Sequence, residues 1–450
     1  MKKFILPGII IIAVLSWFLI RTPLARYYYD RGLDNKQDEM YKEAGKYFSR
    51  ALTIKGSFNE ARFEMALNES MLENKREAVK LFSDVIARDS KHGAAWFHRG
   101  VSYVNLGEHG EAVADFSEAI ELDYQVAVAY TERGKALIEL DEEQRAFEDF
   151  TLAIKTDPEY GPAWFQRGIR KANRGDLDGA AEDYNMAIQF DQENPEVYLL
   201  RGSVMANLDN FIAAIDDYDR LIEMDAGYSG LYKQRGIFKR QINDYRGAIL
   251  DLSQAVEFYP DDAEVYFHRA SSYANTGDLD LAMADFNTSI GLDRSNARAF
   301  LNRGLVWLRR GEARRAIEDL NTSVGLDSQN PQAFYLLGTA RAINQDITGS
   351  VAEFTRAVEL DEDHAMAYFN RGISNGILGM HQEALADYNR SIELEPGNPG
   401  SYHQRAVSRI NLNDMEGGCE DLRTALEMGV QEAEQMLRMY CRDGENVIVR

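Results

Sequence analysis

The sequence predicts an all-α protein in which short helical hairpins stack in tandem as an α-solenoid. Three observations predict this fold. The dipeptide Arg-Gly returns at steps of 34 residues, first at Arg99-Gly100 and next at Arg133-Gly134. Small and aromatic residues recur at fixed positions of the same 34-residue unit. Twelve consecutive repeats fill 408 of the 450 residues without an insertion, and a period of this length is typical of helical repeat arrays.

The first element is an apolar run over residues 4–20, which follows two lysines. Its 17 residues lie at the lower end of the roughly 17–25 that cross a bilayer and exceed the roughly 7–15 of a signal-peptide core. We therefore predict a signal anchor over residues 1–24, with Pro23 ending the helix. The protein would then be a single-pass membrane protein whose repeats lie outside the cytoplasm, in the periplasm. Cleavage to a secreted or periplasmic product and a buried helix are the alternatives.

The repeats occupy residues 25–432. Position 4 is aromatic in eleven repeats, position 8 is Gly or Ala, position 20 is Ala in ten, and position 24 is Phe, Tyr or Leu. Small residues let two helix axes approach, and the aromatic rings fill the space beside them. Each repeat is therefore predicted to be two antiparallel helices that bury their apolar faces by stacking on neighbours. The repeats start at residues 25, 59, 93, 127, 161, 195, 229, 263, 297, 331, 365 and 399.

The period and the residue pattern resemble the tetratricopeptide repeat, and the resemblance covers all 408 repeat residues. With the N-terminal run, the chain is similar to membrane-anchored bacterial proteins of this family. The resemblance implies a right-handed superhelix of helix–turn–helix units, in which the first helices line a concave groove. It also implies that the protein binds other proteins or peptides.

Residues 433–450 are predicted to form a C-terminal capping helix and a tail. Met436, Leu437 and Tyr440 lie on one apolar side of this helix. The only two cysteines, Cys419 and Cys441, are too few for a disulfide scaffold or a four-ligand zinc site. A disulfide between them, two buried thiols, or neither are the three alternatives.

The composition and the motifs argue against several functions. The formal charge is −23, from 50 basic and 73 acidic residues, and this balance disfavours nucleic acid because phosphate neutralisation needs clustered Lys and Arg. The sequence has no phosphate-binding glycine loop and no HExxH motif. We expect no metal, no cofactor and no catalytic residue. An enzyme with an unrecognised site is the remaining rival in this class.

A charge pattern runs through the repeats. Position 7 is Arg in ten repeats, position 23 is Asp in nine, and all nine of those repeats carry both residues. We predict an ion pair between the two helices of one repeat, which would hold them in register. The alternative is a row of arginines that binds a ligand. Representative pairs are Arg99 with Asp115, Arg201 with Asp217, and Arg303 with Asp319.

The resemblance places positions 5, 9 and 13 on the groove. The carboxylate clamp that holds chaperone C-termini needs Lys at position 5 and Asn at position 9, but Lys233 is followed by Ile237. The clamp is therefore absent. Aromatic rings at position 5 and asparagines at position 13 are instead the candidates for contact with an extended peptide. The alternative is that the asparagines merely end the first helix. The candidates are Phe97, Phe165, Phe267 and Phe369, with Asn105, Asn173, Asn207, Asn275 and Asn411.

Together these observations predict a membrane-tethered, non-enzymatic scaffold that binds extended protein segments in its groove. The rival hypothesis is a structural or assembly subunit of a larger envelope complex, which would use its ends or its convex face.

Overall fold

The computed structural model of the protein describes residues 5–228 and 230–441, with side chains from residue 20 onward. In these ranges the chain forms 25 helices and no strand. The helices belong to two compact units, Met1–Ala226 and Gly227–Arg450, called here the N-terminal and the C-terminal unit. The division into twelve repeats stays a prediction.

The N-terminal unit contains the first twelve helices. They are α1 Ile5–Gln37, α2 Tyr41–Ile54, α3 Asn59–Met71, α4 Lys75–Arg88, α5 Gly93–Val104, α6 His109–Glu121, α7 Val126–Ile138, α8 Glu143–Thr156, α9 Gly161–Asn173, α10 Leu177–Phe190, α11 Pro195–Asn207 and α12 Phe211–Glu223.

The C-terminal unit contains the other thirteen. They are α13 Leu231–Gln241, α14 Tyr245–Phe258, α15 Ala263–Thr276, α16 Leu279–Leu292, α17 Ala297–Arg309, α18 Ala313–Leu326, α19 Pro331–Ile343, α20 Ile347–Leu360, α21 Ala365–Ile377, α22 His381–Leu394, α23 Pro399–Asn411, α24 Met415–Glu427 and α25 Glu432–Tyr440.

The sequence predicts one uninterrupted array, whereas the structure has two compact units. The boundary falls between α12 and α13. There Asp225 and Gly227 adopt left-handed backbone conformations, with φ of 47° and 71°. Helix α13 begins at Leu231.

Within each unit, consecutive helices pack in pairs, as α5 does on α6. The close approach depends on the glycine of the first helix. A Cβ atom at Gly100 would lie 2.9 Å from Cε1 of Phe116. Phe116 is fully buried together with Ala112 and Ala119, and burial of such a ring stabilises the fold by about 2–3 kcal/mol.

The turn from first to second helix uses a left-handed residue at one fixed repeat position. Gly107 and Gly379 occupy it with φ of 78° and 76°, as the Leu-Gly dipeptides at these sites predict. Glu73 and Asp141 take the same position with φ of 60° and 59°. A side chain there costs conformational energy because the Cβ atom crowds the backbone.

The prediction of a membrane anchor over residues 4–20 is wrong. Among the described residues, no helix combines the length and the apolar character that a membrane crossing needs. The predicted single-pass membrane localisation with periplasmic repeats is therefore wrong as well. The run is at the lower limit of a spanning length, and α1 continues past it into charged repeat residues. Phe4, the first residue of the predicted run, lies outside the described residues.

Pro23 does not end the first helix, contrary to expectation, because α1 continues to Gln37. The proline ring holds φ near −65°, which is a helical value. The residues after it are fixed by packing, since Ala25 and Tyr29 share a buried cluster with Phe48 of α2 and with Phe58.

The last helix, α25, covers the end of α24. Ala433 is buried in the cluster that includes Leu422 and Ala425, and Leu437 packs against this cluster. A disulfide joins Cys419 of α24 to Cys441, with the two Cα atoms 5.7 Å apart. The predicted tail beyond residue 441 lies outside the described residues.

Candidate functional site

A cavity of about 390 Å³ lies on the first helices of the N-terminal unit. Helices α3 and α5 supply most of its wall, α1, α2 and α4 supply one residue each, and Asn105 follows the end of α5. The lining residues come largely in pairs that are 34 residues apart, so neighbouring hairpins contribute equivalent positions. These pairs are Leu67 with Val101, Met71 with Asn105, Lys36 with Ser70, and Tyr41 with Lys75.

The wall of this cavity combines apolar and hydroxyl groups. Leu67, Met71 and Val101 provide the apolar part, and the side chain of Met71 is 56% exposed. Ser102 donates to the carbonyl of His98, one turn earlier, at 2.8 Å. A serine that donates to its own helix presents its oxygen lone pairs rather than its hydrogen to a ligand.

The two lysines at the cavity, Lys36 and Lys75, differ in their ion pairing. Lys36 Nζ lies 2.7 Å from Glu64 Oε2, so its charge is neutralised. Burial lowers the pKa of His98, and Lys36 lowers it further while Glu64 opposes the shift. His98 is therefore neutral at pH 7. Lys75 has no ion pair within residues 5–228 and 230–441. Among these residues no three His, Cys, Asp or Glu side chains are grouped to hold a metal ion.

The predicted Arg and Asp partners lie together in nine hairpins. In the first of them, Arg99 donates from Nε to Asp115 Oδ2 at 2.7 Å and from Nη2 to Oδ1 at 2.8 Å. The two residues belong to the two helices of one hairpin, α5 and α6. The nine pairs are Arg99–Asp115, Arg133–Asp149, Arg167–Asp183, Arg201–Asp217, Arg235–Asp251, Arg269–Asp285, Arg303–Asp319, Arg371–Asp387 and Arg405–Asp421.

Arg99 and six others of these arginines also reach the preceding hairpin. Nη1 of Arg99 donates to Ser83 of α4 at 2.9 Å. The guanidinium lies over the position-4 ring of its own helix, 4.7 Å from the centroid of Trp96. Each such arginine therefore connects two hairpins, and this favours the structural interpretation over a ligand-binding row. Equivalent bonds run from Arg133 to Ser117, Arg201 to Asn185, Arg269 to Ser253, Arg303 to Asn287, Arg371 to Thr355 and Arg405 to Asn389.

Sequence analysis missed a second basic residue in several of these networks. Lys171 lies one helical turn after Arg167, and its Nζ is 3.1 Å from Asp183. The signal was the i+4 spacing, which places both cations on one helix face. Where position 7 is Leu337, the second cation acts alone, and Arg341 Nε lies 3.2 Å from Glu353. A second basic residue also contacts the position-23 aspartate in two other hairpins, as Lys239 with Asp251 and Arg409 with Asp421.

The position-5 rings do not line an open groove. Phe97, Phe165 and Phe267 are only 7%, 6% and 3% exposed, and Phe369 is half-buried. Each packs on the position-24 ring of its own hairpin, with Phe97 and Phe116 centroids 5.6 Å apart. Their burial argues against ligand contact by Phe97, Phe165 and Phe267, whereas for Phe369 such contact stays a prediction. The other contacts are Phe165–Tyr184, Phe267–Phe286 and Phe369–Tyr388.

All five predicted asparagines are exposed near the ends of first helices. Asn275 and Asn411 donate from Nδ2 to carbonyls of their own helices at 2.8 Å, which fits the helix-end alternative. Asn173 and Asn207 are the last residues of α9 and α11. Only Asn105 of the five lines the cavity.

Sequence models of a known repeat family match several parts of the chain. Models described as tetratricopeptide repeat match residues 63–127, 99–162, 263–296 and 365–398, and a model described as TPR repeat matches residues 171–209. The chain contains tetratricopeptide repeats. Proteins built from tetratricopeptide repeats are generally non-enzymatic scaffolds for interactions between proteins.

Several solved tetratricopeptide-repeat structures are similar to parts of this chain. YrrB, described as a protein with an unusual peptide-binding site, is 24% identical, covers 42% of this chain and 97% of its own, with a TM-score of 0.39. MamA from Desulfovibrio magneticus is 22% identical and covers 38% and 96%, with a TM-score of 0.36. A repeat protein from Parabacteroides merdae is 16% identical and covers 56% and 100%, with a TM-score of 0.42. No curated protein matches this chain in sequence.

Proposed function

We propose that the chain is a non-enzymatic scaffold that binds an extended segment of a partner protein at the cavity on α1, α3 and α5. The observation that carries this proposal is the lining of that cavity by equivalent positions of neighbouring hairpins. A linear segment laid across the hairpins therefore meets equivalent positions at each step, of which Leu67 and Val101 are both apolar. No cofactor, metal or nucleic acid takes part in this function.

The chemistry of the wall suits a peptide. Leu67, Met71 and Val101 offer apolar contact to one large side chain. Methionine adapts to different shapes because it is unbranched and polarisable. Asn105 supplies an amide that donates and accepts, as a peptide bond requires. Asn173 and Asn207 occupy the same repeat position in this unit and extend the proposed contacts beyond the cavity.

The first experiment selects peptides from a random display library on the intact chain and measures their affinity by fluorescence anisotropy. Met71→Asp places an uncompensated charge in the apolar wall, and we expect binding to weaken by about 2–4 kcal/mol. Asn105→Ala removes a hydrogen-bond partner of the peptide's backbone and should weaken binding by about 1–3 kcal/mol. The Asn173/Asn207 double alanine variant tests whether the contact continues along the unit.

The matched control is Glu182→Ala, an exposed residue of the second helix α10, which should leave the affinity unchanged. Alanine is a better helix former than asparagine, so the asparagine variants keep their helices. Peptides that bind Met71→Asp as tightly as the original chain would place the binding surface elsewhere.

One further observation favours a second candidate function, that of an assembly subunit. In the C-terminal unit, the second helices α14, α16 and α18 each end on a large exposed apolar residue. Phe258, Leu292 and Leu326 are 59%, 43% and 45% exposed and share one repeat position. Replacing all three with Ser should abolish any self-association seen by sedimentation velocity. Unchanged sedimentation of a chain that does associate would remove this candidate.

A further inference from the structure

Arg240 at the end of α13 lacks the carboxylate partner that the position-7 arginines have in nine hairpins. Its Nη1 lies 2.6 Å from Nδ1 of His268 on α15. Its Nε is buried and has no hydrogen-bond partner within residues 5–228 and 230–441. A guanidinium never loses its charge in a protein, so it normally acquires an acceptor when it is removed from water.

Two carboxylates at the start of α15 are bonded to a lysine of α13. Asp262 and Glu264 lie 2.6 and 2.7 Å from Lys233 Nζ on the first turn of α13. Burial works to raise the pKa of Asp262, but the bond from Lys233 outweighs it and holds that pKa low. These two acids therefore neutralise Lys233, and neither forms an ion pair with Arg240 in the described part of the chain.

A second arginine adds to the positive charge. Arg298 on the first turn of α17 is exposed, and its guanidinium lies 5.2 Å from the ring centroid of Phe267. Burial lowers the pKa of Arg240, and the charge of Arg298 lowers it further. Arg298 makes no ion pair with a described residue. Three successive first helices therefore supply Arg240, His268 and Arg298. The carboxylate beside His268, that of Glu264, is bonded to Lys233.

We propose that Arg240, Arg298 and His268 form a binding site for a single carboxylate of a partner protein. Arg240 holds the carboxylate through its charge and its remaining Nη2 donor, because Nη1 bonds His268 and Nε is buried. Arg298 covers it from the next hairpin. His268 accepts from Arg240 Nη1 and fixes the direction of the guanidinium. The site belongs to the C-terminal unit and does not depend on the cavity proposed above.

A carboxylate fits this site better than a phosphate. The Oε1 atom of Glu264 lies 3.6 Å from His268 Nε2, and the Glu264 side chain is 57% exposed. A phosphate group carries about −1.5 to −2 charges at pH 7 and is repelled more strongly by Glu264, whereas a planar carboxylate matches the flat guanidinium groups. An Asp or Glu side chain and a chain terminus present the same carboxylate chemistry.

The experiment titrates the full chain, labelled with ¹³C in histidine, with capped Gly-Glu-Gly and capped Gly-Gln-Gly at constant ionic strength. The His268 resonance, assigned with His268→Gln, should shift saturably with the glutamate peptide and not with the glutamine peptide. The pKa of His268 should rise when the carboxylate is bound, because the anion offsets the field of Arg240. Acetyl-Gly-Gly with a free C-terminus tests whether a terminal carboxylate binds as well.

Arg240→Met should weaken binding of the glutamate peptide by about tenfold or more, since it removes a charge-assisted contact. It should also raise the unfolding temperature without peptide, because it removes an uncompensated buried charge. Arg298→Gln, at an exposed position, should weaken binding with little effect on folding. Arg246→Met, an exposed arginine of α14, is the matched control.

Three results would overturn the proposal. The first is an equal response to the glutamate and glutamine peptides, or none to any carboxylate probe. The second is undiminished binding by both the Arg240 and the Arg298 variants. The third is tighter binding of inorganic phosphate than of the glutamate peptide at the same ionic strength, which would contradict the carboxylate class.

Discussion

Loss of Asp217 should expose how strongly the Arg–Asp pairs hold a hairpin together. Asp217 on α12 is 1% exposed at its side chain, and its partner Arg201 on α11 is 22% exposed. Arg201 Nε donates to Asp217 Oδ2 at 3.0 Å, and Nη2 donates to Oδ1. The variant Asp217→Ala leaves the guanidinium without its carboxylate in a largely dry position.

The expected cost follows from the surroundings of the arginine. Breaking a buried ion pair by removing one partner costs about 3–5 kcal/mol. Arg201 keeps its bond to Asn185 at 2.7 Å and its contact with the Tyr198 ring at 5.8 Å. It also keeps about a fifth of its side chain in water. We therefore expect Asp217→Ala to lower the unfolding free energy by about 3 kcal/mol, at the lower end of that range.

The assay is urea unfolding of the full chain, with amide hydrogen exchange to locate the loss. Exchange protection should fall first in α11 and α12, since stability in a repeat array is a sum of local terms. The double-mutant cycle with Arg201→Leu should give a coupling energy above about 1 kcal/mol. Coupling below about 0.5 kcal/mol would mean that the two side chains act independently and would refute the reasoning.

A matched control lies in the same hairpin. Arg220 and Glu223 of α12 form a surface pair at 3.4 Å, with side chains 40% and 68% exposed. Solvent screens such a pair, so Glu223→Ala should change stability by less than about 0.5 kcal/mol.

Three further predictions concern other parts of the chain. Reducing the disulfide between Cys419 and Cys441, which are 22 residues apart, should lower the stability of the last hairpin by about 3 kcal/mol in thermal unfolding. Burial lowers the pKa of His268 to about 4, with Arg240 adding to the effect. Between about pH 6.5 and pH 4 this histidine is protonated in the unfolded chain but neutral in the folded chain. The free energy of unfolding should therefore fall by up to about 3 kcal/mol from pH 6.5 to pH 4. Gly107→Ala should cost about 1 kcal/mol in urea unfolding and Glu73→Gly should gain about 0.5 kcal/mol, because both residues have left-handed φ.

Each of these has an outcome that contradicts it. Equal unfolding temperatures with and without reductant would show that the disulfide does not hold α25. An unchanged pH slope in His268→Gln would assign the acid sensitivity to other groups. A Glu73→Gly variant that loses stability would show that the entropy of the unfolded glycine outweighs the relief of strain.

The local pattern of each repeat was predictable from residues alone. The Arg and Asp positions are 16 residues apart in nine repeats, and only a hairpin brings such positions together repeatedly. The further bond from Arg99 to Ser83 was not predictable in this way, because it depends on how one hairpin is placed against the next. A second basic residue, Lys171, can be recognised in the sequence from its i+4 spacing to Arg167.

The candidate site was less predictable. The family resemblance places position 5 on the groove, which predicts an accessible ring at Phe97. The structure leaves Phe97 only 7% exposed. An aromatic ring at position 5 meets the ring at position 24 of the same hairpin, and burial of both outweighs exposure to a ligand. The cavity depends on Met71 and Val101 as well as Asn105, and only the asparagine carried a sequence signal. The anchor prediction failed because apolar composition alone does not say where a helix ends.

The sequence by itself determined the helical repeat, its 34-residue period and the partners within each hairpin, since these follow from short-range spacing and side-chain type. The tertiary structure alone decided which rings are buried, where the chain divides into two units, and which charges remain uncompensated. Arg240 illustrates the difference. Its type and helix position are read from the sequence, but only the structure shows that Asp262 and Glu264 bond Lys233 and not Arg240. Such competition for partners is set by distances between hairpins, which no single repeat encodes.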